Sequence, residues 1–124
     1  MQKKFEYKFD DSLGILIKTY YGLITIEDIE SSWRYAFENG LIPEKKKGFI
    51  LDYRKSNFDI EIDEHTLIAD FYRKHIDVFG NYKIAIITEN PKDIVVPMLV
   101  ESLDRGYYSK PFSTFDAAVD WVLN

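Results

Sequence analysis

Apolar and polar residues alternate with a period of two at the head of the chain. Phe5, Tyr7 and Phe9 interleave with Lys4, Glu6 and Lys8, which is the pattern of a half-buried strand. Asp10-Asp11-Ser12-Leu13-Gly14 has turn chemistry. Beyond it Ile15, Ile17 and Thr19 alternate with Leu16, Lys18 and Tyr20, so the spacing predicts a hairpin. Gly22 is read as the end of the second strand. Thr25 follows as the N-cap of a helix, with Asp28 at its third position where negative charge suits the dipole. Ile26, Ile29, Trp33 and Phe37 lie on one helical stripe, and Asn39-Gly40 stops it ahead of Pro43.

Gly48 to Tyr53 reads as a buried strand and Ser56 to Asp59 as a loop. Asp63 is the expected N-cap of a second helix, whose apolar face runs through Leu67, Ile68, Phe71, Tyr72 and Phe79 to a stop at Gly80-Asn81. Lys83 to Thr88 is apolar on both faces, as a central parallel strand is. Asn90-Pro91 opens a third helix through Met98, Leu99 and Leu103, in which Pro97 removes a backbone donor, so its first turns are either kinked or irregular. Tyr107 to Phe112 is a last strand, placed at an edge by Pro111. Ser113 caps a final helix, with Asp116 completing a capping-box-like pair.

The order strand, strand, helix, strand, helix, strand, helix, strand, helix predicts an α/β fold. Its five-stranded mixed sheet has only the first strand antiparallel, and four main helices accompany it. Residues 1–124 are expected to form one domain, since 124 residues suffice for one and not for two.

Composition narrows the function classes. There is no cysteine, which excludes disulfides, thiolate nucleophiles and cysteine–zinc sites. A net charge of −5 repels nucleic acid, and the lone basic run, Lys45-Lys46-Lys47, reads as a solvated turn. No apolar run approaches the roughly 20 residues of a membrane span. The segment from Met1 to Phe5 lacks a leader's apolar stretch, so a cytoplasmic location is expected.

Catalytic motifs are missing. His65 and His75 both fall in the predicted second helix, and ten positions turn one about 80° from the other, so they do not share a metal. Neither glycine-rich phosphate loops nor a nucleophile elbow occurs. Asp59, Glu61, Asp63 and Glu64 suit a helix start. No catalytic residue, metal site or cofactor is therefore expected.

One set of residues imitates a response-regulator receiver: Asp10-Asp11 as an acid pair, Asp52 as phosphoacceptor, Thr88, and Lys110-Pro111. A receiver needs a helix directly after the acid pair. Here a strand begins at Ile15, so the hairpin turn carries the acids to the far end of the sheet from Asp52, beyond the reach of one magnesium ion.

A closer likeness spans the whole chain. Gly22-Leu23-Ile24-Thr25 leads from a strand into an acidic helix start. Phe49-Ile50-Leu51-Asp52-Tyr53-Arg54 is followed by Phe58, Phe79-Gly80-Asn81-Tyr82-Lys83-Ile84-Ala85 leads into a strand, and Phe112 to Leu123 closes the chain. These stretches resemble the STAS superfamily, the SpoIIAA-like domains known as anti-sigma-factor antagonists, in an uncharacterised bacterial branch. Antagonists carry a phosphorylated serine just before the second helix. This chain has Asp59-Ile60-Glu61-Ile62-Asp63-Glu64-His65 there, with no hydroxyl between Asn57 and Thr66, and Ser56 is out of register.

The resemblance thus implies a non-enzymatic regulatory or protein-interaction domain that is not switched by a kinase. The alternative is a carrier of a small apolar ligand or lipid, because STAS domains are similar in fold to lipid-binding Sec14-type domains and this chain is aromatic-rich. An aromatic-rich sheet also leads to an expected homodimer that covers exposed rings. Partners gather beyond the carboxyl ends of strands in open parallel sheets. That rim is expected to hold Asp52, Tyr53, Arg54, Lys55, Ser56 and Asp59, with Thr88, Glu89 and Asn90 beside them.

Overall fold

The computed structural model describes residues 3–124. Met1 and Gln2, the head of the segment read as lacking a leader, lie outside the described residues. The sheet is five-stranded with spatial order β1-β2-β3-β4-β5, from β1 (Phe5–Asp10), β2 (Ile15–Ile24), β3 (Gly48–Phe58), β4 (Lys83–Ile87) and β5 (Tyr108–Phe112). β1 pairs antiparallel with β2 and every other pair is parallel, as the pattern predicted. α1 (Ile26–Glu38) joins β2 to β3. α2 (His65–Lys74) and the short α3 (Ile76–Phe79) join β3 to β4, α4 (Val95–Ser102) joins β4 to β5, and α5 (Phe115–Leu123) follows.

Strand alternation divides the residues between two cores. Leu16, Lys18 and Tyr20 of β2, Phe49, Leu51 and Tyr53 of β3, and Ile84 and Ile86 of β4 face α1, α2, α3 and α4. Ile15, Ile50, Ala85 and Ile87 face α5, which contributes Ala118 and Val122. With helices on both sides, the Phe5–Tyr7–Phe9 stripe is not left on a bare face. Tyr7 packs edge-on to Trp33 (5.8 Å) and donates to the Ser32 carbonyl at 2.6 Å. Gly48 marks a close approach of β3 to β4 and α5: a Cβ there would stand 2.6 Å from the Lys83 carbonyl oxygen and 2.8 Å from Val122 Cγ1.

Local chemistry explains most boundaries and corrects several. Asp10 accepts from the Ser12 hydroxyl (2.7 Å) and the Leu13 amide (3.0 Å), while Gly14 takes φ +71° to close the hairpin turn. Asp10 therefore ends β1 and Asp11 opens the turn, with no helix after it. Asp10 pairs with Ile15, which pairs with Gly48, four residues along β3 from Asp52, or ~13 Å. The receiver reading fails on this point. Thr25 caps α1 as expected, its hydroxyl accepting from Asp28 N (3.1 Å) while the Asp28 carboxylate accepts from Thr25 N (2.9 Å).

The second strand continues through Gly22 to Ile24. Ser56 to Phe58, read as a loop, extends β3 opposite Gly22 to Ile24. Asp63 is not a cap: Ile62–Glu64 forms a 3₁₀ turn closed by Glu64 accepting from Glu61 N at 2.8 Å, and α2 begins at His65. The helix breaks at His75, which leaves Phe79 on α3. Asn90-Pro91 opens a turn, and α4 starts only at Val95. Pro97 then occupies the first helical turn, where an amide has no helical partner in any case, so of the two expectations the irregular start holds and no kink is needed. Thr114, not Ser113, caps α5 by accepting from Ala117 N at 3.2 Å.

Candidate functional site

The carboxyl ends of β2, β3 and β4 form one rim, and a bulge shapes its middle. Thr19 pairs with Asp52 but Tyr21 pairs with Lys55, so β3 spends two residues, Tyr53 and Arg54, opposite Tyr20 alone. A bulge bends the strand and re-aims side chains. Tyr53 turns into the core and stacks on Tyr20 with ring centroids 4.2 Å apart and planes 6° apart. Arg54 turns out and folds back on Asp52 of its own strand.

The Asp52–Arg54 pair is bidentate. Arg54 Nε donates to Asp52 Oδ1 at 2.9 Å and Nη2 to Oδ2 at 2.7 Å, while the Arg54 amide also donates to Oδ1 at 3.0 Å. Burial works against the Asp52 carboxylate, but these three bonds outweigh it and hold its pKa below the usual range. The same bonds raise the pKa of Arg54. The guanidinium lies 6.0 Å from the Phe115 ring centroid. Asp52 thus accepts three bonds from one residue, and the arrangement builds a fixed charged platform.

Around it, Arg54, Lys55, Asn57, Glu89 and Asn90 line a shallow groove of about 440 Å³. The Asn90 side-chain amide donates to Asn57 Oδ1 at 3.1 Å, and Asn90 Oδ1 accepts from Lys92 N at 3.0 Å. Buried Asp93 ties this loop to β3 by accepting from Phe58 N at 3.1 Å. Of the predicted rim residues, Arg54, Lys55, Asp59 and Glu89 are exposed. Tyr53 and Ser56 are not surface groups. Tyr53 is 4% exposed, and Ser56 is buried with its hydroxyl donating to the Tyr53 carbonyl at 3.0 Å. Thr88 is buried as well.

Two features escaped the pattern. Asn57 belongs to the groove only because β3 runs on past the bulge. Lys18 is fully buried, although its parity with Leu16 and Tyr20 is visible in the sequence. Its ammonium nitrogen lies 2.5 Å from Ser32 Oγ and 3.9, 4.6, 5.2 and 5.9 Å from the ring centroids of Trp33, Tyr20, Tyr7 and Phe5. Among the described residues no group of three or more His, Cys, Asp or Glu side chains is placed to hold a metal ion, and no helix is long and apolar enough to cross a membrane.

No protein-family model matches the chain, and no curated protein matches it. Solved structures share its architecture, among them the following two. One is an uncharacterised protein of the DUF3478 family with a SpoIIAA-like fold from Shewanella loihica PV-4. It is 18% identical with a TM-score of 0.62, over 95% of this chain and 91% of that one. The other is the anti-sigma factor antagonist SpoIIAA in its unphosphorylated form. It is 13% identical with a TM-score of 0.51, over 95% of this chain and 96% of that one. The five-stranded mixed sheet, its opening antiparallel hairpin and its four main helices are thus those of the SpoIIAA-like fold.

Proposed function

We propose that residues 1–124 form a single non-enzymatic, cytoplasmic regulatory domain that binds a protein partner through the rim of β3 and β4. The observation that carries this reading is the Asp52–Arg54 pair. It spends the one acid that resembled a phosphoacceptor on holding a guanidinium still beside a groove of Lys55, Asn57, Glu89 and Asn90. Prealigned charges of both signs suit recognition, since they cost little ordering on association. The solved neighbour named an anti-sigma factor antagonist supports a regulatory role for the fold. Thr88 and Ser56 then act from below by positioning, and Asp59 flanks the groove.

The test is a pull-down from the native host with wild type and with Lys55→Glu, Glu89→Lys. Both residues are exposed, so surface substitution leaves stability within ±0.5 kcal/mol or so. The expected outcome is an unchanged melting temperature and loss of a partner. Identical partner lists would remove the rim from consideration.

A second reading, a carrier for a small apolar ligand or lipid, has one narrow apolar crevice behind it. Ile29, Phe58, Ile68, Val96 and Val100, with Tyr53, line this crevice of about 20 Å³ between the helices and the sheet, which admits a small molecule only if the helices part. Native mass spectrometry of the purified protein separates the two: a copurified small molecule supports the carrier, and a bare chain supports the rim.

A further inference from the structure

β1 is an edge strand, and its free edge has a definite polarity. Tyr21 N donates to the Lys4 carbonyl at 2.8 Å and Gly14 N to the Asp10 carbonyl at 2.7 Å. In an antiparallel ladder, alternate residues bond to the same side. The even-numbered residues Lys4, Glu6, Lys8 and Asp10 therefore bond toward β2. The N–H and C=O groups of Phe5, Tyr7 and Phe9 point outward, and no strand among the described residues pairs with them. An unpaired edge is a template for another strand.

The side chains on that edge are self-complementary in one register. We propose that the outer edge of β1 pairs with the same edge of a second copy, antiparallel about Tyr7, joining the two sheets into one. This register sets Tyr7 against Tyr7, Phe5 against Phe9, Glu6 against Lys8 and Lys4 against Asp10. Each outward N–H then meets an outward C=O, and every directly opposed ionic pair has opposite sign.

The neighbouring registers that keep the hydrogen-bonding parity fail on charge. Setting Phe5 against Tyr7 opposes Glu6 to Glu6 and Lys4 to Lys8. Setting Tyr7 against Phe9 opposes Lys8 to Lys8 and Glu6 to Asp10. Like charges directly opposite are destabilising, so the pattern picks the register about Tyr7. Lys4 is already held by Asp28 at 2.9 Å, and Asp10 by the hairpin turn. Glu6 accepts from the Tyr21 hydroxyl through Oε2, which leaves Oε1 for a facing Lys8. The discriminating contact is thus Glu6–Lys8, made twice across the two-fold axis.

Both faces of the seam accommodate a second copy. Glu6 and Lys8 are exposed on the side away from α1, where α5 packs over β3, β4 and β5 and leaves β1 open. On the other side Phe5, Tyr7 and Phe9 are only half-buried. A groove of about 390 Å³ runs there between Phe5, Tyr7, Tyr35 and Leu41, with Tyr35 49% exposed. The partner's Phe9, arriving opposite Phe5, covers that apolar surface. This interface is remote from the rim, so its failure and the failure of the rim reading are separate results.

Charge reversal tests it. Sedimentation of wild type across a wide concentration range is expected to show a reversible monomer–dimer equilibrium. Glu6→Lys and Lys8→Glu, each opposing like charges twice, are each expected to weaken the dimer roughly tenfold or more. The double variant restores opposite signs and is expected to recover the dimer. Hydrogen exchange reads the register directly, because the amides of Phe5, Tyr7 and Phe9 gain protection as concentration rises. A wild type that stays monomeric throughout overturns the proposal. So does a dimer indifferent to both single reversals, or one whose concentration-dependent protection lies away from β1.

Discussion

Lys18 sets two strong effects against each other. Aromatic rings attract an ammonium by about 0.5–2 kcal/mol each when desolvated, and four lie within 5.9 Å. Burying an ammonium with no carboxylate costs several kcal/mol even after relaxation, and its one hydrogen bond goes to Ser32 Oγ. Burial wins and drives the Lys18 pKa well below its ordinary value. The linkage follows in sign: between the folded and unfolded pKa the unfolded chain binds a proton that the native chain does not. Stability is therefore full above the unfolded pKa and falls as pH drops toward the folded one. Lys18→Met is expected to stabilise the protein at neutral pH, on the order of 1–3 kcal/mol, with the gain shrinking toward alkaline pH. Urea denaturation across pH measures both. Asp52 behaves in the same sense in its own, more acidic window, because its depressed pKa makes its contribution present above the unfolded pKa and lost as pH falls through the folded one. In Arg54→Ala the two guanidinium bonds that depress it are gone and only the backbone-amide bond remains, so acid unfolding is expected to begin at higher pH.

Caps and one close contact decide how the elements hold. Thr25 works in both directions of its box, so Thr25→Ala is expected to cost about 1 kcal/mol. At the last helix the structure separates neighbours: Thr114→Ala is expected to cost about 1 kcal/mol and Ser113→Ala almost nothing, since only Thr114 accepts from Ala117 N. Thermal unfolding of the pair checks which residue is the cap. Gly48 is intolerant for another reason. The atoms a Cβ would strike at 2.6 and 2.8 Å are the backbone of β4 and a packed Val122, so Gly48→Ala is expected to cost about 1–3 kcal/mol from overpacking.

At the scale of the molecule, the aromatic content is consumed mostly inside. Trp33 is fully buried and meets Phe49 and Phe79 edge-on at 5.8 and 5.0 Å, joining α1 to β3 and α3. Trp33→Ala is expected to cost about 3–5 kcal/mol, read from denaturant midpoints, which for a chain this size leaves little margin. The surface keeps fewer large apolar groups, among them Tyr35 at 49% and Met98 at 55% exposed. The first flanks the free edge of β1, and the second lies on α4.

The sequence by itself determined the order of elements, the antiparallel opening and the edge position of Pro111, because these depend on periodicity and on missing backbone donors, which are local. It also showed that Asp10 and Asp11 sit at a hairpin turn, since only three residues separate them from the next strand. Tertiary structure alone decided the rim. A bulge at Tyr53 and Arg54 depends on how β3 registers against β2, and no run of residues announces a register. That shift buries Tyr53, exposes Arg54 and carries strand pairing on to Phe58, moving Ser56 from a presumed loop into the core. Ser113 against Thr114, and Asp63 against Glu61, were choices among neighbours with the same chemistry, settled by where the chain enters each helix. Lys18 was in phase with the core throughout. What lowers its pKa is the burial completed by β1, β2 and α1, which close around it only after the chain has folded.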